Sequence, residues 1–167
     1  MKFDFSGKTC VVTGGASGMG RSIAQELANA GAAVCVADLN LTVAEAFCAE
    51  LRAKGFQAVV FGMDATDLAS VQRTADAISA QFGRIHCLVN SIGIGAKARP
   101  KETLQQTFSR LIQVNLMGMF NSCSAFAEHM IETGGGSIVN IASMSASIVP
   151  AKTRSGRGGE YGLIGYC

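Results

Sequence analysis

The chain has 167 residues, of which 49% are hydrophobic and 16% charged, and its formal net charge is +2. That length suits one domain with a sizeable core, the apolar content argues against disorder, and so small a charge offers no electrostatic footprint for nucleic acid or an anionic membrane. The opening residues M-K-F-D-F-S-G-K carry an early acid and no long apolar stretch, so no signal peptide is expected, and no segment approaches the uninterrupted apolar length of a membrane span.

Short apolar runs predict strands at 9–13, 33–37, 57–63, 85–90 and 137–142, and helical patterns cover about 19–30, 42–54, 67–82 and 103–131. Strands alternating with helices indicate βαβ units, hence an α/β fold with a parallel sheet covered on both faces. Gly31, Gly55 and Gly83 stand where C-terminal glycines close the first three helices, and Thr66 or Asp67 can N-cap the third. In the last helical stretch Ile112, Leu116, Met119, Phe120, Cys123 and Met130 mark one apolar face, with Leu111, Met117, Phe126 and Ala127 around much of the rest. A helix so apolar is expected to be buried on more than one side, against the sheet and against a further helix or second subunit. Residues 1–149 read as one domain and 150–167 as an irregular glycine-rich, basic tail or cut-short catalytic segment. Cys10, Cys35, Cys48, Cys87, Cys123 and Cys167 form no C-x-x-C pair, so buried free thiols, no metal site and a reducing cytoplasm are expected.

The chemistry-bearing motif follows the first strand: Thr13 to Gly20 read T-G-G-A-S-G-M-G and open the first helix. In that setting backbone N–H groups at a helix N-terminus face a phosphate. Gly14 allows the sharp turn off the strand, Gly18 lets a pyrophosphate approach the backbone, and Gly20 permits tight helix packing on the sheet. Ser17 and Met19 complete the loop. A plain strand-to-helix turn would carry similar glycines, so the second strand matters: it ends in Asp38, roughly 20 residues on, where a carboxylate accepts from adenosine ribose hydroxyls and repels a 2′-phosphate. Leu39 rather than an arginine follows, so NAD(H) is expected over NADP(H).

Taken together these residues closely resemble the short-chain dehydrogenases/reductases, over residues 3 to about 149. The loop TGGASGMG matches that family's T-G-x-x-x-G-x-G. Asp64, in F-G-M-D-A-T-D, falls where the family has the aspartate that meets the adenine ring. Asn90-Ser91-Ile92-Gly93 is similar to the N-N-A-G segment, with Ser91 and Ile92 departing from it. Asn115 in V-N-L-M-G matches the helix asparagine, and Ser143 in G-S-I-V-N-I-A-S the catalytic serine. The resemblance implies a Rossmann-type doubly wound parallel sheet, here reaching about the fifth strand, and cofactor contacts from Gly14, Ser17, Gly18, Met19, Gly20, Asp38, Asp64, Asn90 and Gly93. Read singly, Asp64 could cap the third helix, Asn90 could be a turn residue, Asn115 could make a structural hydrogen bond, and Ser143 could be a plain strand-end serine.

The family mechanism the resemblance implies moves a hydride between a secondary alcohol or ketone and the nicotinamide. A tyrosine transfers the hydroxyl proton, a lysine four residues later binds the ribose and favours the phenolate, the serine holds the substrate oxygen, and the asparagine holds a relay water. Here the Tyr-x-x-x-Lys pair is missing: Tyr161 has Gly165 four positions on, and Tyr166 is followed by Cys167 alone. Tyr-Cys resembles the opening of the family's Y-x-A-S-K helix, so Tyr166 is the candidate and Tyr161 the second, both farther from Ser143 than the family places it. The stretch A-K-T-R-S-G-R-G-G-E between them reads as an extended substrate loop, a non-native end such as a frameshift, or an arginine-glycine RNA-binding tail. Three basic residues give little support to the last.

The expected protein is thus an NAD-dependent oxidoreductase of the short-chain type, inactive or nearly so as these residues alone, and homo-oligomeric at full family length. The rival is a non-catalytic NAD(H)-binding short form or subunit partner; a flavodoxin-like domain without a dinucleotide site fits poorly with the glycine loop and Asp38. Sugar alcohols, steroids and 3-oxoacyl thioesters all stay open as substrates. By the family's strand order the fifth strand is expected at an exposed sheet edge, an association hazard that makes the polypeptide marginal or aggregation-prone.

Overall fold

A computed structural model describes residues 3–95 and 100–143. Five strands, β1 (Thr9–Thr13), β2 (Ala33–Asp38), β3 (Ala58–Gly62), β4 (Cys87–Asn90) and β5 (Ser137–Asn140), form one sheet in the order β3-β2-β1-β4-β5. Every neighbouring pair is parallel: Val11 stands between Cys35 and Leu88, and Val89 pairs Val139. The helices are α1 (Gly18–Asn29), α2 (Leu41–Ala53), α3 (Leu68–Phe82), α4 (Leu104–Leu111) and α5 (Gly118–Glu132).

The apolar runs of β1 and β2 are buried on both faces, which is why they read as continuous rather than alternating. Cys10, Val12, Val34 and Val36 pack with Ala24 and Ala28 of α1 and Phe47 and Leu51 of α2. Val11, Cys35 and Leu88 pack on the opposite face with Val71 and Ile78 of α3 and Phe126 and Met130 of α5. The sheet is therefore doubly wound, as expected. Cys10 and Cys35 in the sheet and Cys48 on α2 are buried, and burial pushes the Cys35 thiol up to about 12 and the Cys48 thiol up to about 11. No helix among the described residues is long and apolar enough to cross a membrane.

Local signals behave as the sequence suggests. Asp67, not Thr66, caps α3, accepting from Ala69 N–H at 3.0 Å, and Asn40 caps α2 in the same manner. Gly31, Gly55 and Gly83 follow their helices with positive φ.

The stretch expected as one helix from 103 to 131 is corrected. It is α4, a π-helical segment over Ile112–Met117, and α5. A residue inserted into a helix turns all later side chains by about 100° relative to earlier ones. The expected apolar face is therefore split: Met130 is buried, whereas Leu116 and Phe120 stand 40% and 61% exposed. The buried stripe of α5 is instead Gly118, Asn121, Ser122, Ala125, Phe126 and Met130, at helical spacing. That stripe meets both the sheet and helix α3, as expected of a helix packed against the sheet and a further helix.

Strand β5 ends at Asn140 and is exposed throughout. Among the described strands it pairs only with β4, so it stands at the sheet edge, as expected. Tyr161, Tyr166, Cys167 and the tail 150–167 lie outside the described residues.

Candidate functional site

The chain runs outward from β1 in one direction to β2 and β3, then crosses back to β4 on the other side of β1. Loops leaving the carboxyl ends of β1 and β4 must diverge at that reversal, and the divergence opens a crevice. A cleft of about 790 Å³ lies there, walled by Gly14, Ser17, Gly18 and Met19 after β1, Asp38 and Leu39 after β2, Asp64 to Thr66 after β3, and Ser91 to Ile94 after β4. Arg110, Gln113 and Val114 close it from the far side.

The glycine turn is built by contacts that exclude side chains. Gly14 has φ +63°, its N–H donates to Ala37 carbonyl at 2.8 Å, and a Cβ would stand 2.9 Å from the Ser91 carbonyl oxygen. A Cβ on Gly20 would come within 2.3 Å of the Gly14 carbonyl oxygen, so the close packing that Gly20 permits is against the glycine turn itself and not, as expected, against the sheet. Gly18 differs: at φ +53° a Cβ would meet no atom within 4 Å, because it would project into open space at the cleft. Ser17 is the N-cap of α1 by its extended backbone, yet its hydroxyl makes no capping bond. The first-turn N–H groups of α1 have no intrahelical partner, as at any helix start.

Asp38 has two backbone partners: one carboxylate oxygen accepts from Ala16 N–H at 3.0 Å and the other from Asn40 N–H at 2.9 Å. It ties the glycine turn to the β2–α2 connection while still lining the cleft, and each carboxylate oxygen keeps a further acceptor site. Asp64 accepts from Thr66 N–H at 2.9 Å and from its hydroxyl at 2.7 Å, folding a tight turn on the cleft wall. It does not cap α3, which Asp67 does.

Gly93 lines the cleft beside Asn115. Asn115 lies in the π-helical segment, where its side-chain oxygen accepts from Ile94 N–H at 2.9 Å and its amide donates to Ile94 carbonyl at 3.1 Å. The amide thus pairs with the 91–95 connection as a strand would.

Asn90 and Gly20 do not line the cleft. Asn90 is fully buried: it accepts from the Thr13 hydroxyl at 3.0 Å and donates to Asn140 at 2.8 Å and Cys123 sulfur at 3.3 Å. It joins the carboxyl ends of β1, β4 and β5 and shapes the cleft from behind. Ser143 stands exposed three residues past β5. Arg110, Gln113 and Val114 were missed from the sequence: their i, i+3, i+4 spacing marks one helix face, but nothing local says that the face meets the cleft. Arg110 is held by Glu102, through Nε at 2.8 Å and Nη2 at 2.9 Å.

An all-parallel, doubly wound sheet with a glycine turn opening a helix at its switch point defines a Rossmann-type domain. The family model described as short chain dehydrogenase matches residues 8–155, and the chain belongs to that family. It is 41% identical over 165 residues to the D-threitol dehydrogenase of Mycolicibacterium smegmatis, covering 98% of this chain and 64% of that protein. Among solved structures, NAD+-bound xylitol dehydrogenase is similar with a TM-score of 0.85 and 32% identity, covering 97% of this chain and 61% of the other. The 7α-hydroxysteroid dehydrogenase complexed with NADH and 7-oxo glycochenodeoxycholic acid has a TM-score of 0.84 and 29% identity, over 99% of this chain and 62% of the other. The chain spans somewhat under two thirds of the length of these relatives.

Proposed function

We propose that these residues form the cofactor-binding portion of an NAD(H)-dependent oxidoreductase that interconverts a secondary alcohol and a ketone. The observation that carries this reading is the joint placement of Gly18 and Asp38 on one cleft at the switch point. Gly18 leaves backbone room beside the start of α1 for a pyrophosphate, and Asp38 stands where ribose hydroxyls can donate to it. The nicotinamide cofactor, when bound, supplies the hydride acceptor or donor. Gly14, Ser17, Met19, Asp64 and Gly93 would contact it, while Gly20 and Asn90 act through the shape of the wall.

Asp38 also favours NAD(H) over NADP(H). A 2′-phosphate there would meet a carboxylate, and no arginine or lysine lines that end of the cleft among the described residues. The relatives named for alcohol substrates support the reaction class, polyols included. For the chemistry we assign Ser143 to the substrate oxygen, Asn115 to the wall and relay, and Tyr166, with Tyr161 second, to proton transfer. The 167 residues contain no Tyr-x-x-x-Lys pair. A polypeptide of these residues alone is therefore expected to bind cofactor with little or no turnover, behaviour that a non-catalytic NAD(H)-binding subunit would share.

Titration of NADH and NADPH against the 167-residue chain, read by nicotinamide fluorescence, tests this. Binding of NADH at least ten-fold tighter than NADPH is expected, in line with the strength of a charge-assisted contact. Equal affinity for the two would overturn the Asp38 assignment, and binding of neither would overturn the cofactor reading.

A further inference from the structure

We propose that Asn121, on helix α5, is a positioning residue for the adenosine side of the cleft: it sets the Asp64–Thr66 wall through Ala65 without touching the ligand. This rests on the reading of the cleft as a dinucleotide site.

Asparagine is a poor residue for the middle of a helix, and a buried amide requires partners. Asn121 is 6% exposed, and its amide donates to the Ala65 carbonyl at 2.9 Å. One turn earlier Gly118 faces the same residue: a Cβ there would lie 3.1 Å from the Ala65 Cβ. Gly118 and Asn121, three apart on the buried stripe of α5, thus make a notch and a donor that seat Ala65. Ala65 lies between the two wall residues Asp64 and Thr66, which are locked to each other by the Asp64 carboxylate. The other end of the segment is tied to β2, where Met63 N–H donates to the Asp38 carbonyl at 3.1 Å. Asp64 N–H also donates to the Ser70 hydroxyl of α3 at 3.1 Å, so Asp38 and Asp64 are set relative to one another by three anchors, on the sheet, on α3 and on α5, of which the Asn121 donor is the one that holds Ala65. Loss of the Asn121 donor leaves a buried carbonyl unpartnered beside the cleft, and the segment must shift to regain a partner. Since the shift falls on the wall, ligand affinity should register it beyond any general loss of stability.

The test measures ADP-ribose affinity of the whole 167-residue chain by displacement of NADH fluorescence. Asn121→Ala removes the donor, and Asn121→Leu removes it while keeping a side chain close in size. Ala125→Gly, one turn along the same buried stripe and away from the wall, serves as the control for lost stability. Both Asn121 variants should weaken ADP-ribose about ten-fold, as the loss of one buried hydrogen bond implies. Ala125→Gly should leave it within two-fold even where its melting temperature falls as far. Unchanged affinity in both Asn121 variants, or an equal loss in Ala125→Gly, overturns the inference while leaving the cofactor reading intact. Failure of the unsubstituted chain to bind NADH or ADP-ribose overturns the cofactor reading and this one with it.

Discussion

The side chain of Asn115 pairs with both backbone polar groups of Ile94, a residue of the cleft wall, at 2.9 Å and 3.1 Å. The pairing depends on the π-helical segment, because the extra residue in that turn rotates Asn115 toward the 91–95 connection and away from the stripe followed by α5. Asn115→Leu, close in size, leaves both Ile94 groups unpartnered. It should cost about 1–3 kcal/mol in stability and weaken NADH binding. Denaturant melts and fluorescence titration check the two effects separately.

Gly18 and Gly20 should respond differently to alanine. Gly20→Ala places a methyl against the Gly14 carbonyl oxygen, a backbone atom that cannot yield cheaply, so stability should fall by about 1–3 kcal/mol. Gly18→Ala meets no protein atom but must hold φ +53°, which costs about 1–2 kcal/mol, and its methyl enters the space a phosphate needs. Per unit of lost stability, Gly18→Ala should lose far more NADH affinity. Thermal melts paired with titration test this; equal ratios for the two variants would contradict it.

Asp38 both braces the turn and faces the cleft, so Asp38→Ala should show two losses. Freed N–H groups on Ala16 and Asn40 should lower stability by about 1–3 kcal/mol. The preference for NADH over NADPH should collapse to near equality, as fluorescence titration with both cofactors would register.

Thr9 N–H donates to His86 Nδ1 at 3.0 Å, so the imidazole must be unprotonated there to accept. Burial, followed by the charges of Lys8 and Arg84, lowers the His86 pKa below its ordinary 6.5. The stability from neutral His86 is thus present above pH 6.5 and drains as pH falls through that value toward the folded-state pKa. The melting temperature should drop between pH 7 and pH 5, about the range where an ordinary histidine titrates. His86→Gln should flatten that part of the profile; an unchanged slope would exclude His86 as its source.

Strand β5 presents Ile138 and Val139, 37% and 47% exposed, on an edge strand. Such an edge templates association, and a lysine on it opposes pairing. Val139→Lys should reduce concentration-dependent light scattering of the 167-residue chain, while Leu88→Lys, on a buried strand, should unfold it.

The strands and most helix ends were legible because their causes are local. Apolar runs of strand length, Asp67 as an N-cap, and glycines after helices each act within a few residues. The same holds for the glycine turn and Asp38, whose separation along the chain is set by one βαβ unit. The split of the 103–131 stretch was not legible: a single inserted residue changes the burial of Leu116 and Phe120 without altering composition or apolar content.

What the sequence determined by itself was the α/β class, the order of the elements, and the residue types that meet at the cleft. The tertiary structure alone decided which of them face it. Asn90 turned out to be a buried link between Thr13 and Asn140, residues 77 and 50 positions away, and Asn121 found its partner 56 positions off at Ala65. Hydrogen bonds of that reach depend on how the sheet stacks its strands and how α5 lies across them. No local pattern of apolar and polar residues encodes that placement.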